Sequence, residues 1–272
     1  MRRFPLDELR KKARALLEAG EVRVVIGYGG GTGDRARAIF VREPERADEL
    51  IFDGRCRQNL AIYLTRREVK ELGKPAIVAT LPALKTVLQL AGEFQIAEGG
   101  LVVLAPGADG SLIEFKTFAD IEKYLAGAAS PIDPAEQAEM DRVRAMSPDE
   151  RWKYWLGQIS RCIKCYACRQ ACPMCYCPRC TVECNQPQWI PVPSHELGNL
   201  EWNVMRAMHL AGRCVDCGDC SRACPVGIPL YLLNRVLIGD IESNFHQRAG
   251  MKAEVDYALS TFHPDDRENF IR

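Results

Sequence analysis

The chain has 272 residues, and its 36 Lys plus Arg are balanced by 36 Asp plus Glu, so the formal net charge is zero. That balance excludes the basic excess a nucleic-acid surface requires, and no apolar run approaches the length of a membrane span. A hydrophobic content of 47% is ordinary for a folded protein, and the length predicts about two domains.

The N-terminus, M-R-R-F-P-L-D-E-L-R-K-K-A-R, has no apolar h-region, so no Sec signal is expected, and Arg2-Arg3 alone do not make a twin-arginine signal. Leu6 to Ala19 alternates apolar and charged residues at helical spacing and predicts a helix stopped by Gly20. Val22 to Ile26 predicts a strand running into the glycine-rich stretch Gly27 to Gly33. That stretch invites a phosphate-binding reading. However, the residues after it lead into a second predicted strand, Ala38 to Val41, and a pyrophosphate needs a helix N-terminus there. A flexible glycine turn is the expectation, and there is no Walker lysine. Cys56, in G-R-C-R-Q-N-L, reads as a buried structural thiol.

Asn59 to Glu71 predicts a helix, Pro75 to Ala79 a strand, Leu81 to Leu90 a helix, Leu101 to Leu104 a strand and Phe118 to Leu125 a helix. Strands alternating with helices predict a small α/β domain up to about Ala126. The small, proline-containing stretch Gly127 to Pro134 reads as a linker, dividing the chain into units 1–134 and 135–272. From Ala135 the pattern is helical apart from cysteine-rich loops. Leu200 to Ala211 predicts a helix with Leu200, Val204, Met208 and Ala211 on its apolar face, and Leu230 to Ile238 predicts another.

Of 13 cysteines, all but Cys56 lie between Cys162 and Cys224. C-I-K-C-Y-A-C-R-Q-A-C-P starts at Cys162 and C-V-D-C-G-D-C-S-R-A-C-P at Cys214. Both have the form C-x2-C-x2-C-x3-C-P, the ligand run of a pair of [4Fe–4S] clusters, in which the fourth cysteine reaches the other cubane. Cys162, Cys165, Cys168 and Cys224 are thus expected at one cluster, and Cys214, Cys217, Cys220 and Cys172 at the other. Zinc is the alternative, but it usually takes pairs of C-x2-C rather than triplets followed by C-P. Ile163, Tyr166 and Ala167 are expected to shield the first cubane, Val215 and Val226 the second, while Asp216 and Asp219 add negative charge near the second.

The insert between the runs carries Cys175, Cys177, Cys180 and Cys184 within ten residues. Their C-x-C-x2-C-x3-C spacing admits a third metal centre, zinc or iron–sulfur, or buried replaceable thiols packed against the first cubane. His195, His209, His246 and His263 are scattered and lack metal-ligand spacing, although His209 stands near enough in sequence to Cys214 to bond near the second cubane. No Ser/His/Asp set or carboxylate pair stands out. Cysteines accounted for by metal point to a reducing, cytoplasmic compartment.

The cysteine runs, with H-L-A-G-R-C and C-P-V-G-I-P-L, resemble the iron–sulfur subunits of the coenzyme F-420 hydrogenase/dehydrogenase beta-subunit family, which includes formate dehydrogenase beta subunits. Similar dicluster proteins accompany heterodisulfide-reductase-like flavoproteins. In the first half, Cys56-Arg57-Gln58-Asn59-Leu60 with Tyr63-Leu64 and Leu90 to Ile96 look like family segments. Departures are also present. Ala79-Thr80-Leu81 stands where a lysine-glycine-cysteine segment is common, and the Val103 to Gly107 region lacks a cysteine. The resemblance therefore implies a degenerate α/β domain kept for docking, without FAD, followed by a mainly helical dicluster ferredoxin-like domain.

The expected function is an electron-transfer subunit of a cytoplasmic oxidoreductase complex of anaerobic metabolism. It would join a catalytic subunit of formate dehydrogenase or hydrogenase type to a flavin-containing partner, and would not itself be catalytic. Two alternatives stay open. One is a flavin-binding reductase subunit acting on a nicotinamide, deazaflavin or similar acceptor. The other is a zinc-binding scaffold.

Overall fold

The computed structural model describes residues 5–107, 109–128 and 132–254. Arg2, Arg3, His263 and the middle of the expected linker lie outside the described residues. Helix α1 (Leu6–Glu18) carries Asp7 and Glu8 in its first turn, where the helix dipole favours acids, and buries Leu9, Ala13 and Leu16 along one stripe. Gly20, at φ 65°, ends it.

Strands β1 (Val24–Gly30) and β2 (Ala36–Val41) form a hairpin. Two 3₁₀ turns, Pro44–Glu49 and Leu60–Thr65, lead to the single-turn helix α2 (Arg67–Lys70). Then follow β3 (Pro75–Val78), α3 (Leu81–Gly92), β4 (Val102–Pro106), β5 (Leu112–Phe115) and α4 (Phe118–Gly127). The sheet order is β2-β1-β3-β4-β5, with β1, β3 and β4 parallel and both edge strands antiparallel. The parallel strands are buried at nearly every position, which is why they read as unbroken apolar runs.

Two expectations change here, and one strand is new. The glycine-rich stretch is mostly strand, not turn: Gly27, Gly29 and Gly30 pair with Ile39, Arg37 and Ala36. A Cβ on Gly27 would run into Leu50, and one on Gly29 into Ile39, so these glycines make room for packing. Only the segment from Gly31 to Arg35 turns, with Gly33 at φ 61°. The helix expected from Asn59 to Glu71 is a 3₁₀ turn and then α2, because Arg66 is extended at ψ 130°. Asn59, which caps the turn through Ala61 N, is itself tied to Thr86. Strand β5 carried too short a signal to be foreseen.

The remaining described elements are helical. Helix α5 (Pro134–Ala145) is capped by Asp133, and α6 (Pro148–Ile159) by a Ser147–Glu150 capping box. They are followed by α7 (Ala167–Gln170), α8 (Glu196–His209), α9 (Asp219–Arg222) and α10 (Leu230–Phe245). No described helix is long and apolar enough to cross a membrane.

The helical part does not stand apart from the sheet. Met174 and Leu210 are buried in the same apolar cluster as the strands. Asn59 N donates to Asp219 at 2.8 Å, Arg222 to Arg57 O at 3.0 Å and Gly250 N to Gln89 Oε1 at 2.9 Å. The sheet and its helices thus form a wall against which the cysteine loops are laid.

Candidate functional site

The two cysteine runs fold into the same loop. In the first, Lys164 (φ 49°) and Tyr166 (φ 58°) are left-handed; at the matching positions of the second, so are Asp216 (φ 57°) and Gly218 (φ 72°). Each loop then enters a four-residue helix, α7 or α9, carrying the third cysteine. A left-handed non-glycine residue costs on the order of 1–3 kcal/mol, and such strain gathers at ligand clamps. Here it wraps the chain around the thiols and turns N–H groups toward sulfur. Lys164 N donates to Cys162 Sγ at 3.4 Å, Ile228 N to Cys224 Sγ at 3.4 Å, and Asn234 Nδ2 to Cys220 Sγ at 3.6 Å. The N–H groups of Met174, Asp216 and Asp219 face Cys172, Cys214 and Cys217. Such donors stabilise thiolate over thiol.

Helices α7 and α9 pack together, and this mixes the runs. Cys168 and Cys220 are buried in one apolar cluster with Trp202, Ile228 and Leu230, and Cys162 and Cys224 lie against it. Cys172 and Cys214 border the core of the sheet instead. Burial raises the ionisation cost of Cys214, Cys217 and Cys220, and negative charge on the nearby Cys172 sulfur raises it further in all three. Burial likewise pushes the Cys168 thiol up to about 12. Metal-free, these are poor nucleophiles; a bound cation would hold them as thiolates. Among the described residues, no three His, Cys, Asp or Glu side chains converge on a point that would hold one metal ion. The thiols flank shared clusters rather than meeting at one spot.

Sequence reading missed Arg206. It is 6% exposed, its Nη2 donates to Cys168 O at 3.0 Å, and its Nε has no partner. Burial opposes its charge, while Cys172, Cys175, Cys168 and Cys220 favour it. Helix α8 delivers it on a face made by Asn199, Trp202, Asn203 and Arg206, at i, i+3, i+4 and i+7. On that face Asn199 Nδ2 donates to Cys162 O at 2.7 Å and holds the first loop. That polar periodicity is visible in the sequence, but hydrophobic periodicity predicts the apolar residues of the same helix as its inward face. The structure reverses this for two of the four: Val204 and Met208 are exposed at 41% and 50%. Together with Trp155 and Leu232 they line an apolar cavity of about 530 Å³.

Other assignments shift as well. Ile163, expected to shield a cubane, is 57% exposed, whereas Tyr166 packs beside Trp202. Val226 packs against the apolar cluster that holds both Cys168 and Cys220, and Val215 is buried. Asp216 and Asp219 are not free charges. Asp216 pairs with Arg235 at 2.8 Å, and buried Asp219 pairs with Arg222 at 2.5 Å.

Of the insert cysteines, Cys175, Cys177 and Cys180 line a cavity of about 240 Å³ with Arg206, His209 and Arg213, and Cys184 does not; Cys177 and Cys184 are both exposed. Cys56 is buried, donates to Ile51 O at 3.8 Å, and is pushed up to about 11 by burial. His195 caps α8 by accepting from Gly198 N, and His246 follows α10 in the left-handed region.

No family model matches the chain. Over 94 residues it is 38% identical to the F420-dependent formate dehydrogenase subunit beta of Methanocaldococcus jannaschii. The match covers 32% of this chain and 22% of that protein, so the chain spans about a fifth of the length of this curated relative.

Proposed function

We propose that this chain is an electron-transfer subunit of an oxidoreductase complex and carries two [4Fe–4S] clusters. Cys162, Cys165, Cys168 and Cys224 would hold one, and Cys214, Cys217, Cys220 and Cys172 the other. The observation that carries this reading is the pair of like-folded cysteine loops, with Cys172 beside the second-run thiols and Cys224 beside the first. The N–H groups aimed at sulfur and the buried Arg206 suit the thiolates of an anionic cluster. When bound, such clusters accept and release single electrons.

The chain's own residues would do the rest. Trp202, Ile228 and Leu230 keep water from the first cluster, and Arg206 offsets thiolate charge between the two. Asn199 and Asn234 fix the loop at Cys162 and the sulfur of Cys220. The unit 135–272 would be the ferredoxin-like part and 1–134 a docking part without flavin. The similarity to a formate dehydrogenase subunit supports a catalytic partner of that type; a flavin-containing partner and a cytoplasmic location are part of the same proposal. Anaerobic expression followed by iron, sulfide and zinc analysis tests the reading. About eight irons and eight sulfides per chain are expected. Zinc loading without acid-labile sulfide would refute it.

A further inference from the structure

We propose that the cavity walled by Cys175, Cys177 and Cys180 is a third metal centre, that it takes an iron–sulfur cluster rather than zinc, and that its remaining protein donor is His209. Three observations carry this. First, these four side chains share one cavity of about 240 Å³, while Cys184, the fourth cysteine of the spacing, does not line it. Cys184 N only closes a turn onto Cys180 O at 2.8 Å. Second, the donors stand around a volume and do not converge on one point. A tetrahedral zinc site needs convergence at bonding distance, whereas a cluster fills a space.

Third, the lining is cationic. Arg169, Arg206 and Arg213 all line the cavity, and no carboxylate does. Two of them are already paired: Arg169 with Glu183 at 3.2 Å, and Arg213 with Glu93 at 2.5 Å. Arg206 has no carboxylate partner among the described residues, is 6% exposed, and leaves Nε without a partner. Arg206 lies near Cys175 as well as Cys168, Cys172 and Cys220, so its charge would be shared between a cluster in this cavity and the two proposed cubanes. The walls are also braced. Asn185 Oδ1 accepts from Trp189 N and Ile190 N, and its Nδ2 donates to Val182 O, fixing the segment after Cys180. Tyr176, between two of the cysteines, donates to Glu93 at 2.6 Å.

The test is metal and sulfide analysis of the full chain made anaerobically, with Mössbauer and electron paramagnetic resonance spectra, for wild type, Cys177→Ser, Cys180→Ser, Cys184→Ser and His209→Gln. The wild type is expected to hold about twelve irons, three cubanes' worth. Cys177→Ser and Cys180→Ser should each lose about a third of the iron and leave the other two signals unchanged. Cys184→Ser should match wild type, and His209→Gln should shift or remove only the third signal. Far-UV circular dichroism and the two retained signals show that each variant is folded. Eight irons with two normal signals in wild type would overturn this inference and leave the two-cluster reading standing. So would one zinc per chain beside those eight irons, or a loss confined to Cys184→Ser. A third signal unmoved in His209→Gln would overturn the histidine ligand. A chain without any sulfide would overturn both readings.

Discussion

Arg213 clamps Glu93 through two parallel hydrogen bonds, Nε to Oε1 at 2.7 Å and Nη2 to Oε2 at 2.5 Å. Glu93 ends α3 beside the sheet, and Arg213 immediately precedes the second cysteine run, so the pair ties the run to the α/β layer. Burial alone would raise the Glu93 carboxyl, but Arg213, with Tyr176 and Gln89, holds it below the ordinary range. Breaking one side of a buried pair costs about 3–5 kcal/mol. The half-open Arg213 reduces this, so Glu93→Gln should destabilise the loaded chain by about 2–3 kcal/mol. Denaturant unfolding at neutral pH measures it, and an unchanged midpoint would show that the clamp is dispensable.

Crossed ligation makes a distinct forecast. Cys172→Ala should perturb the signal of the Cys214, Cys217 and Cys220 cluster, and Cys224→Ala that of the Cys162, Cys165 and Cys168 cluster. Electron paramagnetic resonance of reduced samples distinguishes them. If each variant altered only the cluster of its own run, the crossing would be wrong.

Arg206 offers a test of charge. Adding an electron makes a cluster more negative, so a nearby cation favours the reduced form. Arg206→Met should therefore lower the cluster potentials, and Arg206→Lys should restore most of the drop. An interaction of about 2 kcal/mol at an effective dielectric near 20 corresponds to on the order of 100 mV. Potentiometric titration followed by paramagnetic resonance reads the shift. Potentials equal to wild type in the folded methionine variant would remove Arg206 from this role.

Every proposed cluster ligand lies downstream of residue 134, which by itself suggests that a truncated chain would keep its clusters. The shared core points the other way. Removal of residues 1–132 would expose Met174 and Leu210 and strand Arg213 and Asp219 without Glu93 and Asn59. Each large apolar side chain returned to water costs about 1.5–3 kcal/mol. The truncated chain is expected to aggregate or lose iron, as size-exclusion chromatography with metal analysis would show. A monomer with eight irons would establish that the helical part folds alone.

The glycines of β1 are a matter of packing. Gly27→Ala would press a methyl group against Leu50 and Val78 and should destabilise by about 1–3 kcal/mol. A thermal melt measures the loss. A neutral result would mean that Leu50 swings aside.

The sequence by itself determined the local features. The C-x2-C-x2-C-x3-C-P spacing is a property of one short loop, and covalent geometry lets it be read without knowing the rest of the chain. Helix α1, β3 and α3 were legible for a similar reason, since periodicity and caps act within a few residues. The tertiary structure decided which thiols of one run lie beside the other, and that Gly27 to Gly30 extend a strand under Leu50 and Ile39. It also decided that α8 turns Asn203 and Arg206 inward while Val204 and Met208 face out. Hydrophobic periodicity assumes that polar groups prefer water. That assumption fails where loop carbonyls and clustered thiols, brought together from distant parts of the chain, meet buried polar groups better than solvent would.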